Sequence, residues 1–367
     1  MPKILMVSTI ATTLSAFFIP LVTAMREDGW TVDALAAGIL ENNKCIKTFN
    51  YCHSIEWSRS PKDLSGMLKA YKNVQEIVLS GDYDIVHVNT PIASAVARLA
   101  LRNIRKEKNI KIIYTAHGFH FYKGAPLLNW LVYYPIERFL SRYTDVLITI
   151  NKEDFARAKT FHARRVEYIP GVGIDIEKIR SVVVDRAKKC KELNIPEIAT
   201  LFFSVGELNK NKNHVVMLEA MSLLNDSNIH YMIAGEGPLK EYLRNRAKVL
   251  GIDDRLHLLG YRDDIIELYK ITDCFVFPSL REGLPISLLE AIVCGLPIVC
   301  SKIRGNCDLM SNYQNGFLFK SDDILELVSL IKLINNKRAC IGNVNKFIDF
   351  DKHNILKKMK VLYDSSF

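Results

Sequence analysis

Glu282 and Glu290, separated by the seven residues Gly283 to Leu289, are the side chains whose type and spacing most suggest chemistry. The apolar run Cys274-Phe275-Val276-Phe277-Pro278 ahead of them has the pattern of a buried strand, and the residues through Ala291 to Gly295 read as a helix ending at glycine. Glu282 is therefore expected in a strand-to-helix loop and Glu290 about two turns into the helix. Between them, backbone N–H groups around Gly283 and Leu284 would open a helix N-terminus, where orphan donors and the helix dipole attract an anion such as a diphosphate. Pro285 has no N–H and suits the first helical turn. A plain βα turn with two solvated glutamates has the same spacing, so the pair gains meaning only from other groups.

Several supporting groups follow strand ends. Gly206-Glu207-Leu208-Asn209-Lys210-Asn211-Lys212 comes directly after Thr200–Val205. A glycine there lets backbone approach a phosphate, and Lys210 or Lys212 supplies a compact cation. Ala234-Gly235-Glu236-Gly237 is a second glycine-rich turn, half of a dinucleotide fingerprint without its third glycine. His117 lies just past the strand Lys111–Ala116, at the edge where α/β sheets hold ligands. The aromatic run Phe119, Phe121 and Tyr122, with Trp130, Tyr133 and Tyr134 beyond, fits a core and also a platform for a sugar or lipid. Asp82-x-Asp84 has the spacing of a metal-binding pair but precedes its strand, so no metal site is expected.

These groups need a scaffold of parallel strands, and the chain supplies one. Apolar runs alternate with helical patterns throughout, at Lys3–Thr9, Thr31–Ala36, Asp84–Asn89, Lys111–Ala116, Asp145–Ile150 and Val166–Ile169 in the first half. Helices are expected at Leu14–Glu27, Leu127–Arg142 and Lys152–Phe161. A second series runs through Thr200–Gly206, His230–Ala234, Arg255–Leu259, Cys274–Pro278, Pro297–Cys300 and Gly316–Phe319. The turn-rich stretch from Pro170 and the charged residues before Pro196 place a boundary near residue 180. This gives domains at 1–180 and 181–340 and a helical tail at 341–367. At 367 residues the chain suits two ordinary domains better than one.

The phrase Pro278-Ser279-(x2)-Glu282-Gly283-Leu284-Pro285-(x4)-Glu290-Ala291-(x3)-Gly295-Leu296-Pro297-Ile298-Val299 closely resembles the nucleotide-sugar signature of retaining glycosyltransferases of family 4. The resemblance implies an α/β chain of GT-B fold, two Rossmann-like doubly wound parallel-sheet domains facing a central cleft, with the tail crossing back onto the first. It implies a nucleoside-diphosphate sugar donor, UDP-linked by expectation, and no metal or other cofactor. Carried over residue by residue, Lys212 holds the donor diphosphate, Glu282 faces the transferred sugar and Glu290 accepts hydrogen bonds from the ribose. Gly206 and Gly283-Leu284-Pro285 line the donor, Gly260-Tyr261-Arg262 meets the base, and His117 reaches the sugar from the first domain. Glu282, Lys212 and His117 are the catalytic candidates. The family commonly has an arginine where Glu207 stands here, which leaves that half of the clamp to Lys210 or to the acceptor. Its glycine-rich loop after the first strand is replaced by Ser8-Thr9-Ile10-Ala11-Thr12-Thr13. His117-Gly118-Phe119-His120-Phe121 before a long aromatic helix is similar to bacterial capsule and exopolysaccharide glycosyltransferases, which points to His120, Phe121 and Tyr122 as acceptor contacts. A GT-B UDP-sugar 2-epimerase or a non-catalytic nucleotide-sugar-binding subunit would share the donor residues. Incubation with a donor panel, with and without a lipid acceptor, separates the three.

The net charge of +9 is uneven, with 24 Lys and Arg against 17 Asp and Glu over residues 1–180. No zinc-finger, helix-turn-helix or RNA-recognition pattern accompanies the excess, so a nucleic-acid partner is not expected. An anionic membrane surface fits better, with Arg98, Arg102 and Arg105 on one helical face. No apolar run reaches 18 residues, and the eight cysteines lack metal-ligand spacing. The expectation is a cytoplasmic protein, peripheral on the inner face of the cell membrane, with a sugar or polyprenyl-diphosphate-linked acceptor.

Overall fold

The computed structural model describes residues 1–57, 63–336 and 344–365. It divides into two compact units, Met1–Val172 with His353–Phe367, and Gly173–Lys352. The division falls between Val172 and Gly173, within the turn-rich stretch that begins at Pro170, and an isolated bridge pairs Ile174 with Asp351 inside the second unit. The first part of the expected tail, 341–343, lies outside the described residues, and the helix Lys352–Asp364 supplies the return to the first unit.

In the first unit the strands are β1 (Lys3–Ile10), β2 (Thr31–Ala37), β3 (Cys52–Ser54), β4 (Ile85–Val88), β5 (Lys111–Ala116), β6 (Val146–Thr149) and β7 (Arg165–Tyr168). They form one parallel sheet in the order β3-β2-β1-β4-β5-β6-β7. The second unit holds β8 (Thr200–Val205), β9 (Ile229–Ala234), β10 (Leu256–Gly260), β11 (Cys274–Phe277), β12 (Ile298–Ser301) and β13 (Gly316–Phe319). Their order, β10-β9-β8-β11-β12-β13, is also parallel throughout. The central strands are buried on both faces, which is why they are unbroken apolar runs rather than alternating ones. In each sheet the order reverses beside the first strand, at β1/β4 and at β8/β11. Loops leaving the carboxyl ends diverge there and open a crevice for ligands.

Two local differences from the sequence-based expectation have simple causes. The segment Leu14–Glu27 is two helices, Ala11–Phe17 and Ile19–Glu27, because Pro20 has no N–H for an intrahelical bond and begins a new helix instead. The strand β3 is only three residues long, too short for a periodic signal. The seven cysteines among the described residues are free thiols, and Cys340 lies outside them.

The helix Lys352–Asp364 buries Ile355, Met359, Leu362 and Tyr363. The Tyr363 hydroxyl lies 2.7 Å from Nδ1 of the buried His87 on β4, whose Nε2 is 2.8 Å from Thr115 Oγ1 on β5. Burial holds the His87 pKa down to about 3, so the ring is neutral and shares its two polar atoms with these hydroxyls.

The basic face expected at Arg98, Arg102 and Arg105 does not form. Arg98 is fully buried, donates from Nη2 to Glu137 Oε2 at 2.7 Å and stacks over Tyr114 at 4.3 Å. Arg105 donates to Asp145 Oδ1 at 2.5 Å, leaving Arg102 as the exposed member of the three. The three do not share a helix, since Arg98 lies in Pro91–Ala100, Arg102 in the turn after it and Arg105 in Ile104–Glu107, and buried carboxylates claim the first and the last. Among the described residues no helix is long and apolar enough to cross a membrane.

The burial of Arg98 has a measurable consequence. Arg98→Ala leaves Glu137 without its cation and should cost about 3–5 kcal/mol, against about 0–1 kcal/mol for a surface arginine. Urea unfolding of the variant separates the two cases, and a cost below about 1 kcal/mol would contradict a buried pair.

Candidate active site

The β8/β11 crevice of the second unit collects Gly206, Lys212 and Glu282. Gly206 ends β8, and Lys212 folds back over it: a Cβ at Gly206 would meet Lys212 Cε at 2.8 Å. The Lys212 ammonium then donates to Glu282 Oε1 at 2.8 Å and lies 4.8 Å from the centre of the Phe277 ring at the end of β11. Both members of the pair are mostly but not wholly covered, at 20% and 16% side-chain exposure. Gly235, after β9, packs so closely that a Cβ would meet Gly206 O at 2.0 Å. Thus the two glycine turns after β8 and β9 lie backbone against backbone. Leu208 N donates to Glu236 O, and Gly235 N to Gly260 O, which carries the sheet's hydrogen bonding past the strand ends.

The loop holding Lys212 is tied down by asparagines. Asn209 Oδ1 accepts from Lys212 N at 3.0 Å, and its Nδ2 donates to Glu207 Oε2 at 2.9 Å. Asn211 joins this loop to the next: its Nδ2 donates to Arg281 O at 3.0 Å, and its own carbonyl accepts from Leu280 N at 2.8 Å. Below them His214 Nδ1 lies 3.1 Å from Tyr231 Oη, which is 2.7 Å from Ser204 Oγ; that hydroxyl donates to Val276 O at 2.5 Å. This buried chain spans β8, β9 and β11. Burial, with the nearby Lys212 charge, lowers the His214 pKa to about 3. The run Asn209-Lys210-Asn211-Lys212-Asn213 was the visible signal for the tethering. His214 gave none.

Pro285 is the N-cap of the helix Ile286–Val293, one position before the first turn, and Glu290 is its fifth residue, little more than one turn in. The Tyr269 hydroxyl donates to Ser287 O at 2.8 Å and to Glu290 Oε2 at 3.3 Å. Burial raises the Glu290 pKa to about 7, opposed by the Tyr269 hydrogen bond. Leu284 packs on the core, and Gly283 O lies where a Cβ on Gly305 would meet it at 2.3 Å. That close approach brings in a cation which motif reasoning passed over: Arg304 donates from Nε to Glu282 O at 3.4 Å. Its only sequence signal was an Arg-Gly pair shortly after β12.

Of the other predicted donor residues, the side chains of Lys210, Tyr261 and Arg262 are exposed or engaged by other groups. Lys210 is exposed and lines a separate cavity of about 390 Å³ with His214, Leu239 and Tyr242, so the crevice does not gain it as a second cation. Tyr261 is 77% exposed. Arg262 is engaged by Asp264 at 2.7 and 2.5 Å and by Glu192 at 2.9 Å, in a cluster with Lys189, so its side chain is committed to structure.

In the first unit His117 follows β5 and lines a narrow, mostly apolar cavity of about 30 Å³ with Phe18, Ile150 and Met359. Its Nε2 is shielded from solvent and has no hydrogen-bond partner among the described residues, and burial lowers its pKa to about 4. Phe121, expected at an acceptor site, is instead core: it is 1% exposed and packs on Phe119, Trp130 and Tyr134. His120 stacks on Tyr133 at 4.7 Å, and Tyr122 is half-buried. The Asp82-x-Asp84 pair is structural, with Asp84 Oδ2 accepting from Lys3 N at 2.7 Å and Asp82 closing a helix in the left-handed region at φ 50°.

Two parallel doubly wound units, one with a cation and carboxylates at its switch point, define a GT-B architecture. Solved structures agree across the whole chain. Anabaena Alr3699/HepE, crystallised with UDP and glucose, superposes with a TM-score of 0.81 at 19% identity over 100% of both chains. WaaG, a glycosyltransferase involved in lipopolysaccharide biosynthesis, gives 0.74 at 18% identity over 99% of both. Residues 17–178 match the model for Glycosyltransferase Family 4, and residues 185–347 that for Glycosyl transferases group 1. EpsD of Bacillus subtilis (strain 168), described as a glycosyltransferase, is 35% identical over 91% of this chain and 88% of its own length. An Escherichia coli UDP-Gal:α-D-GlcNAc-diphosphoundecaprenol α-1,3-galactosyltransferase is 31% identical over 77% of this chain and 74% of its own. The chain belongs to glycosyltransferase family 4 and is a glycosyltransferase.

Glu290 links the site to stability. A carboxyl whose pKa rises on folding from the ordinary 4.5 to about 7 adds stability that is whole below pH 4.5 and is lost as pH rises through 7. Glu290→Gln, which stays neutral, should therefore unfold at higher temperature than the parent at pH 8, by roughly 1–3 kcal/mol of stability, and equal it near pH 4.5. Thermal unfolding of both proteins across that range checks this. A difference that does not change with pH would show that Glu290 is not a buried, costly carboxylate.

Proposed function

We propose that this glycosyltransferase takes a sugar from a nucleoside-diphosphate donor, a UDP-sugar, and transfers it with retention to a polyprenyl-diphosphate-linked sugar during assembly of a bacterial surface polysaccharide. The observation that carries the proposal is the Lys212 ammonium poised against Glu282 above Gly206, at the switch point of the second sheet. A diphosphate entering there meets Lys212, Arg304 and the N-terminus of the helix Ile286–Val293. As the bond to the sugar breaks, negative charge grows on the departing diphosphate, and these groups stabilise it more than they stabilise the intact donor. Glu282, released from Lys212, then faces the sugar, and Glu290 accepts from the ribose hydroxyls. No metal or other cofactor is assigned, since side-chain cations carry the neutralisation.

The acceptor class is supported by relatives. The Escherichia coli enzyme is named for a diphosphoundecaprenol-linked acceptor, and a Campylobacter jejuni enzyme, 28% identical over 60% of this chain, for N,N'-diacetylbacillosaminyl-diphospho-undecaprenol. Such an acceptor places the reaction at the inner face of the cell membrane.

The test is a panel of UDP-, GDP- and dTDP-sugars with and without a lipid-diphosphate-linked sugar. The expected result is acceptor-dependent release of UDP and a product whose new linkage keeps the donor's anomeric configuration by NMR. A modified free sugar formed without acceptor would replace the proposal with epimerisation. Lys212→Ala should lose about a hundredfold or more in kcat with its unfolding temperature kept. Near-normal turnover at saturating donor would remove Lys212 from the reaction.

A further inference from the structure

The helix Leu127–Leu140 is apolar on both faces. Its inner face sends Trp130 and Tyr134 into the cluster around Phe121 and Phe161, and holds Glu137 against Arg98. The outer face of a surface helix is ordinarily polar. Here it presents Leu127, Leu128, Leu131, Val132, Ile136 and Phe139, which are 79, 68, 74, 41, 46 and 46% exposed. Together they make a continuous patch on the order of 500 Å², at the upper end of what a monomer leaves uncovered.

The exposed charge carried by this segment is basic, and the one carboxylate from elsewhere that meets it is Glu153, whose Oε1 accepts from Lys123 N at 2.7 Å. From Tyr122 to Thr144 the single acid is Glu137, which is buried in its pair with Arg98, while Lys123, Arg138 and Arg142 are exposed. The Arg142 guanidinium lies 5.6 Å from the centre of the Phe139 ring, so the cationic rim touches the apolar face. A second copy of the chain, packed on the same patch by a two-fold axis, would set these cations against themselves. A lipid surface with anionic headgroups has the opposite sign at the rim and an apolar interior for the leucines.

We infer that the outer face of the helix Leu127–Leu140 docks on an anionic lipid bilayer, its leucines entering the headgroup boundary and Lys123, Arg138 and Arg142 meeting lipid phosphates. The inference rests on the lipid-linked acceptor of the proposed function for its purpose. Its test uses vesicles that contain no acceptor, so either can fail alone.

The experiment is co-sedimentation of the full chain with vesicles of phosphatidylglycerol and phosphatidylcholine, and with phosphatidylcholine alone. The parent should partition to the anionic vesicles more strongly, and Leu128→Ser with Leu131→Ser should lower that partition by about tenfold or more, since two exposed leucines leave the interface. Both side chains are exposed, so the fold should persist, checked by thermal unfolding. In a separate variant, Leu131→Trp should give emission that shifts to the blue on anionic vesicles, which does not depend on the double variant folding. Arg102→Ala should partition like the parent. Binding of the double variant equal to the parent's, no binding of the parent, or a dimer in sedimentation equilibrium that the same substitutions dissolve would each overturn the inference, the last by making a second copy the partner.

Discussion

Lys212 can lie against Glu282 because Gly206 has no side chain beneath it, and Gly206 can sit where it does because Gly235 has none either. A Cβ at Gly235 would meet the backbone oxygen of Gly206 at 2.0 Å, which leaves no room for alanine, and a Cβ at Gly206 would meet Lys212 Cε at 2.8 Å and push that side chain aside. The close packing of the turns after β8 and β9 continues the sheet's backbone bonding beyond the strands and makes a firm floor. On that floor the asparagine-tethered loop projects one cation into the gap that the reversed strand order opens toward β11. The arrangement is therefore set by backbone approach first and by charge second. An ion pair this far covered loses much of its Coulombic gain to desolvation and could not by itself position the loop.

The same crevice carries a cost that points to its use. Glu290 is pressed into a site where burial raises its pKa to about 7, with one weak hydrogen bond from Tyr269 in return. A protein optimised only for stability would place glutamine or an apolar residue there. Retaining a carboxyl that is expensive to ionise makes sense where a ligand supplies donors that stabilise the charged form, as two vicinal hydroxyls do. His117 shows a similar economy in the first unit, with Nε2 shielded and unpartnered among the described residues.

Much of this was legible in the sequence. Parallel sheets buried on both faces declare themselves as apolar runs of the right length, and a strand-to-helix turn bearing glycine, proline and glutamate keeps its character in any context. What escaped was decided by contacts between distant segments. Arg98, Arg102 and Arg105 have the spacing of one helical face, yet the acids that removed two of them, Glu137 and Asp145, lie about forty residues away in sequence, a separation no local pattern reports. Phe121 has the composition of a sugar platform, and three neighbouring rings turned it into core. Arg304 was missed for the opposite reason, since its approach to Glu282 depends on the single atom absent from Gly305. Lys210 and Lys212 are two residues apart and differ wholly in surroundings, because the loop turns between them.

The Arg98–Glu137 pair also bears on the most unusual surface of the first unit. A helix with apolar side chains on every side has little hydrophobic reason to choose one rotation over another: turning Leu131 inward and Trp130 outward would bury a comparable area. Glu137 breaks that degeneracy. This rotation delivers its carboxylate to Arg98 Nη2 and to the Tyr114 hydroxyl, at 2.7 and 3.2 Å, and a rotation that turned Glu137 outward would strand the Arg98 charge in the core. Buried ion pairs add little net stability but penalise wrong arrangements by several kcal/mol, which is how a polar contact can specify an otherwise ambiguous packing. The pair thus has two effects from one geometry. It withdraws a cation from the surface, and it fixes Leu127, Leu128 and Leu131 to face outward, where the exposed cations Lys123, Arg138 and Arg142 surround them.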